Sequence, residues 1–275
     1  MSDRPTAPAF LKGHGTENDF ILLPDRDDTI DLTDRRVRAL CDRHAGIGAD
    51  GVIRVAPSAA GGFFMDYRNA DGSVAEMCGN GARLFARYLV DAGWTPAGRI
   101  PFLTRGGTRV AHVPTTGDVS IEMGPATVGG PSHAMLPGLE VKGVAADVGN
   151  PHLVCLDLPD PAALAALDLT RPPAFDHEVF PHGVNIEFVT VIGADQVAMR
   201  VHERGVGETR SCGTGTVAVA AAHLAAAGRT AGRVEVNVPG GRVVVDIAPG
   251  ASVLTGPAVI VAQGRVDPSF WNAQR

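Results

Sequence analysis

Lysine is almost missing from this chain: among 275 residues only Lys12 and Lys142 carry it, arginine supplies the other basic side chains, and these do not cluster. A nucleic-acid surface needs grouped cations. With charged residues at 20% and a formal net charge of −6, that class of partner is excluded. Long apolar runs are missing as well. The longest uncharged stretch, 211–228, is mostly Ala and Val with Gly and Thr at its start, too short and weakly hydrophobic for a membrane span, so it reads as a buried helix. Residues 1–12 hold Asp3, Arg4 and two prolines but no apolar segment, which excludes a signal peptide or anchor and predicts a cytoplasmic protein. The four cysteines, at 41, 78, 155 and 212, form no CxxC pair and no zinc-like spacing with histidine, so no metal site is expected. A dinucleotide cofactor is excluded by context. Gly46-Ile47-Gly48-Ala49-Asp50-Gly51 matches GxGxxG, but it follows a predicted helix and leads into a strand, the reverse of the binding order.

What the chain does have is a repeat. Met77-Cys78-Gly79-Asn80-Gly81-Ala82 and Ser211-Cys212-Gly213-Thr214-Gly215-Thr216 read alike, about half the chain length apart, and each runs into a helix-like stretch ending at a Gly. Two copies of one unit are therefore expected to face each other across a cleft, setting one thiol on each side of a bound molecule. Cys41 and Cys155 lack the motif and read as small buried hydrophobes. In the first half, strands are predicted at 20–23, 52–56, 63–68 and 119–123, a helix at 33–43 capped by Thr33 or Asp34, and a hairpin over 100–113 turning at Gly106-Gly107. The second half offers strands at 141–148, 153–156, 185–191 and 196–201, and a hairpin over 234–247 turning at Pro239-Gly240-Gly241. Each half has one dominant apolar helix, from Cys78 to about 92 and onward from Cys212. The fold class is α+β: two pseudo-symmetric domains, each a curved, mostly antiparallel sheet wrapped around a central helix, with the active site in the cleft between them. The domains are set at 1–124 and 125–264, with 265–275 packing back on the first and 125–137 as the linker.

A thiol at a helix start sits where unpaired amides and the helix dipole favour an anion, and its pKa is expected to fall from about 8.5 into the range of about 3.5–7.5. The flanking glycines let the backbone close on a ligand carboxylate. Two such thiols fit a two-base reaction, in which one thiolate removes a proton from carbon and the opposite thiol delivers one to the other face. The residues alone leave other readings open: plain helix-entry chemistry, or a redox-active cysteine pair.

Further blocks carry a resemblance that spans nearly the whole chain. They are Asn18-Asp19-Phe20, His44-Ala45-Gly46-Ile47-Gly48-Ala49-Asp50, Asn69-Ala70-Asp71-Gly72-Ser73, Gly149-Asn150-Pro151-His152, Val184-Asn185 and Glu203-Arg204-Gly205-Val206-Gly207-Glu208-Thr209, together with the two cysteine motifs. In them the chain resembles the diaminopimelate epimerases, enzymes that interconvert LL- and meso-diaminopimelate without a cofactor. The resemblance implies Cys78 and Cys212 as the acid/base pair, with Gly79, Asn80, Gly213 and Thr214 holding the reacting carboxylate through backbone amides. It implies Asn69, Asn150, Asn185 and Arg204 at the distal amino-acid end and Glu203 on an ammonium. His152 and Glu203 would support the reacting centre, and Asn18 would join the substrate shell. No metal and no cofactor are implied, and a homodimer serving lysine and peptidoglycan precursor synthesis is. Two positions depart from the family pattern: Glu17 stands where many members have Gly, suggesting a different loop conformation, and Gly51 where many have Gln, removing one side-chain contact. The related proline racemases typically carry His in place of Asn80, and a third branch of the fold lacks the cysteine pair. A non-catalytic amino-acid-binding protein would keep the pocket without exchanging the α-proton.

Overall fold

The computed structural model describes residues 7–274 and divides into two compact units, Met1–Val119 with Pro257–Arg275, and Ser120–Gly256. The first unit is a mixed, mostly antiparallel sheet. Its strand Val259–Arg265 pairs antiparallel with Ala9–Gly15, which pairs antiparallel with Asn18–Pro24. Next come Gly51–Pro57 in parallel, Phe63–Asn69 antiparallel, Gly98–Thr104 in parallel and Gly107–Val113 antiparallel. The helix Gly79–Asp91 packs against strands along much of this sheet, and all its residues from Gly79 to Leu89 are buried. A helix enclosed on most sides cannot be amphipathic in the ordinary way, which explains why Leu84, Phe85, Tyr88 and Leu89 spread around its circumference.

The second unit repeats the order and the directions. Thr127–Leu136 pairs antiparallel with Leu139–Asp147, which pairs antiparallel with Pro151–Leu158. Asn185–Gly193 follows in parallel, Gln196–Glu203 antiparallel, Gly232–Val238 in parallel and Gly241–Ala248 antiparallel. The helix Gly213–Ala226 fills the corresponding place, buried from Gly215 to Leu224 and packed on strands of its own unit. The repeat first visible as two cysteine motifs is thus a repeat of whole sheets.

The ends of the units differ from the sequence expectation. The stretch read as a linker, 125–137, contains the strand Thr127–Leu136, which opens the second sheet. Its Gly129-Gly130-Pro131 composition imitates a loop because the strand is largely exposed and bulged between Val128 and Pro131. Val119–Glu122, expected to close the first half, instead pairs with Ala251–Gly256, and Met123 N donates to Ser252 O at 2.8 Å. The break therefore falls after Val119 and again after Gly256. In the first unit, Trp271 of the terminal helix Pro268–Ala273 is buried with Ile21, Leu23, Val37 and Leu40, and the Arg36 guanidinium lies 4.2 Å from its ring centroid. Thr33 caps the helix Asp34–Cys41.

Candidate active site

Both cysteines are helix N-caps. Cys78 has extended backbone (φ −137°, ψ 120°) and its Sγ accepts the Gly81 amide at 3.5 Å; Cys212 (φ −118°, ψ 117°) accepts the Gly215 amide at 3.4 Å. Sulfur takes the part that a Ser or Asp oxygen usually plays. The first helical bonds, Ala82 N to Cys78 O and Thr216 N to Cys212 O, begin four residues on, so amides at the helix start have no acceptor within the helix. Gly79 and Asn80 in one unit and Gly213 and Thr214 in the other occupy those first positions.

Around Cys78 the first unit gathers Asn18 and Asn80. Asn18 Oδ1 accepts from the Cys78 thiol at 3.5 Å and from Asn80 Nδ2 at 3.2 Å, while its own Nδ2 donates to Asp50 at 2.8 Å. Asp50 and Asp19 hold Arg43, and Lys12 bonds Asp19. Burial alone would raise the Asp19 carboxyl; the bonds from Arg43 and Lys12 outweigh it and hold the group well below the usual value. Asn69 ends its strand opposite Gly51, donating to Ser73 Oγ at 3.0 Å and accepting from the Tyr67 hydroxyl at 2.8 Å. Behind the helix, Arg83 is fully buried, donates to Pro257 O and Thr16 Oγ1, and is brought down by burial to about 10.

Both departures from the family pattern have a structural reading. Glu17 at φ 60° adopts the left-handed region that glycine favours, next to Thr16 at φ 52°. Gly51 is walled in, since an added Cβ would lie 2.5 Å from Arg68 O and 2.7 Å from the Tyr67 ring. Tyr67 fills the volume a longer side chain would need and sends its hydroxyl to Asn69 instead.

The second unit gathers the remaining candidates. Asn150 bonds Thr214 Oγ1 at 3.4 Å, and its Oδ1 lies 3.1 Å from His152 Nε2. Asn185 Oδ1 accepts the Arg204 amide at 2.9 Å, and Arg204, itself exposed, donates to His182 O at 3.1 Å. Glu203 accepts from the Thr209 hydroxyl. Cys212 Sγ sits 3.6 Å from Thr214 Oγ1. The expectation of a depressed thiol pKa fails at this cysteine. Burial, with the Glu203 and Glu187 carboxylates nearby, pushes the Cys212 thiol well above its usual value, and the bonds from Thr214 and the Gly215 amide do not compensate.

One residue of this cluster was missed by the sequence reading. Glu187 is wholly buried, with Oε1 2.7 Å from His152 Nδ1. Its one trace in the sequence is a lone charge in the otherwise apolar run Ile186-Glu187-Phe188-Val189. Among the described residues no group of three His, Cys, Asp or Glu could hold a metal ion, and no helix is long and apolar enough to cross a membrane.

Comparison with known proteins decides the family. The sequence model of diaminopimelate epimerase matches residues 10–129 and 144–261. The chain belongs to the diaminopimelate epimerase family. It is 51% identical over 284 residues to the diaminopimelate epimerase of Rhodococcus opacus (strain B4), covering 96% of this chain and 98% of that one. It is 50% identical over 287 residues to that of Mycobacterium ulcerans (strain Agy99), covering 97% and 99%. A hydroxyproline epimerase from Agrobacterium vitis shares the fold at 15% identity and a TM-score of 0.67, over 97% of this chain and 95% of that one. The diaminopimelate epimerase resemblance drawn from the motif blocks and the two-domain α+β fold class are therefore both met.

Cys41 and Cys155 match their structural reading. Burial pushes each thiol up to about 12. A thiol raised on folding contributes stability below its unfolded pKa, near 9.0, and that stability is lost as pH rises toward 12. Urea unfolding at pH 8 and pH 10.5 is expected to give a lower midpoint at the higher pH, and replacing Cys41 and Cys155 by Ala should flatten that difference.

Proposed function

We propose that this protein interconverts LL- and meso-2,6-diaminopimelate by two-base proton transfer at the α-carbon, without a cofactor. The observation that carries the reading is the doubled cap: two cysteines at corresponding positions of two repeated units, each the N-cap of a buried helix. One cysteine, as thiolate, takes the α-proton, and the other, as thiol, returns a proton to the opposite face. The configuration inverts. The amides of Gly79, Asn80, Gly213 and Thr214 hold the reacting carboxylate, and the positive helix ends stabilise the electron density that builds on it as the proton leaves. His152 and Glu203 support the reacting centre, with Glu203 also taking an ammonium. Asn69, Asn150, Asn185 and Arg204 receive the distal amino-acid end, where a planar guanidinium suits a carboxylate through paired donors, and Asn18 completes the substrate shell beside Cys78. The setting is a cytoplasmic homodimer supplying lysine and peptidoglycan precursors.

The test is to dialyse the purified protein exhaustively against chelator, supply LL-diaminopimelate with no pyridoxal phosphate or nicotinamide, and follow the meso isomer by chiral chromatography. Epimerisation at the undialysed rate is expected. Loss of activity restored by a metal or cofactor would overturn the cofactor-free mechanism.

A further inference from the structure

The two cysteine half-sites match in backbone but not in what lies beneath them. In the first unit Phe20 pairs with Gly51, and in the second His152 pairs with Asn185, so Phe20 and His152 hold corresponding places. Two residues further along the neighbouring strands stand Ile53 and Glu187. Under Gly81 the floor is apolar: a Cβ added there would meet Ile53 at 2.9 Å, Met65 at 3.1 Å and Phe20 at 3.4 Å. Under Gly215 the floor is Glu187, whose Oε1 a Cβ at that position would strike. A buried pair of ionisable groups has replaced a packed apolar pair at one half-site of a repeat.

That pair continues outward without a gap. From Glu187 Oε1 the contacts run 2.7 Å to His152 Nδ1, 3.1 Å from His152 Nε2 to Asn150, 3.4 Å from Asn150 to Thr214 Oγ1 and 3.6 Å from Thr214 to Cys212 Sγ. Glu187 Oε2 is buried with no hydrogen-bond partner among the described residues. A half-satisfied carboxylate in a core is destabilising relative to the isoleucine that fills the same position in the first unit, so packing does not account for it. The titratable groups around it are His152 and Cys155 on the adjacent strand, Cys212 on the helix above and Glu203 on the strand beyond.

We propose that Glu187 is a positioning residue for the epimerisation: its carboxylate orients His152, and through Asn150 and Thr214 it sets the proton-holding environment of Cys212 alone, making the two half-sites chemically unequal. The inference rests on the two-thiol reading given above. A carboxylate on Nδ1 fixes the orientation of the ring and keeps Nε2 aimed at Asn150 Oδ1. The negative charge also disfavours a thiolate at Cys212, so the shared proton rests mainly there, and the direction that needs Cys212 as base starts from the less populated form of the pair.

The test uses the full-length protein carrying Glu187→Gln, which keeps the shape and removes the charge, alongside Glu187→Ile, which installs the first unit's residue. Each is followed by steady-state kinetics and by iodoacetamide alkylation of Cys78 and Cys212 across pH, resolved by peptide mass spectrometry. For Glu187→Gln we expect kcat to fall at least tenfold with KM within threefold, and the alkylation midpoint of Cys212 to move to lower pH while that of Cys78 stays. Glu187→Ile should reproduce both changes with the melting temperature held or raised. Unchanged kcat with an unchanged Cys212 profile, or equal shifts at both cysteines, would overturn the assignment. Alkylation reads the charge relation without turnover, so failure of wild-type protein to epimerise would count against the proposed function and not against this inference.

Discussion

Replacing either Cys78 or Cys212 by alanine is expected to lower kcat for epimerisation by about 10⁴-fold, the upper end of what a positioned acid or base contributes. Each variant keeps one thiol, yet inversion needs an acid on one face and a base on the other, so one thiol does not sustain it. The amides proposed to bind the carboxylate are main-chain groups and survive the substitution, so KM should change little. Each alanine also removes a helix cap, which costs roughly 1 kcal/mol of stability and leaves a folded protein. A thermal melt alongside the kinetics separates the two effects. If Cys78→Ala interconverts the isomers at a rate within tenfold of wild type, the two-base mechanism is wrong.

The second large effect concerns substrate choice. Diaminopimelate should be preferred over lysine by about 10⁴-fold in kcat/KM, because a site built to bond a polar group is left with unpaired polar groups when the analogue lacks it. Lysine is the sharpest probe, having the distal ammonium without the distal carboxylate. The structure gives the argument a physical anchor. Asn185 Oδ1 accepts the Arg204 main-chain amide at 2.9 Å and Arg204 Nη1 donates to His182 O at 3.1 Å, so the residue is fixed at its backbone and its guanidinium at one nitrogen. Gly183 beneath it has φ 83°, and a Cβ there would press within 2.9 Å of Arg204 Cδ. Arg204→Lys should therefore damage diaminopimelate turnover, since a point-charge ammonium cannot reproduce the planar fork. Racemisation of lysine or proline within tenfold of the diaminopimelate rate would point to a broad amino-acid racemase.

The two cysteine-capped helices were legible because their pattern is written locally: a cap, two glycines and an apolar helix leave the same short run twice. The sheets were only partly legible. Strands with one buried face, such as Gly232–Val238, show alternation, whereas Val259–Arg265 is exposed along nearly its whole length and has no pattern to betray it. Ala9–Gly15 hides behind Lys12 and three polar or glycine positions for the same reason. Glu187 escaped because its importance lies in register, not in sequence. Within Asn185-Ile186-Glu187-Phe188 a glutamate reads as the solvent side of a strand, and only the pairing of His152 with Asn185 and the place of Gly215 turn it inward. The acidity of Cys212 was misjudged because the helix-end effect is local and legible, while the burial that overrides it comes from residues far apart in the chain.

The most direct test of the central claim follows hydrogen rather than rate. LL-diaminopimelate is incubated with the protein in heavy water, and at low conversion the meso product and the recovered substrate are separated and analysed by mass spectrometry. Two thiols on opposite faces predict a product carrying one solvent deuterium at the inverted α-carbon, while recovered LL substrate remains unlabelled. Meso product that retains its original α-hydrogen, or early deuterium in substrate and product alike, would contradict proton transfer by Cys78 and Cys212 from opposite faces.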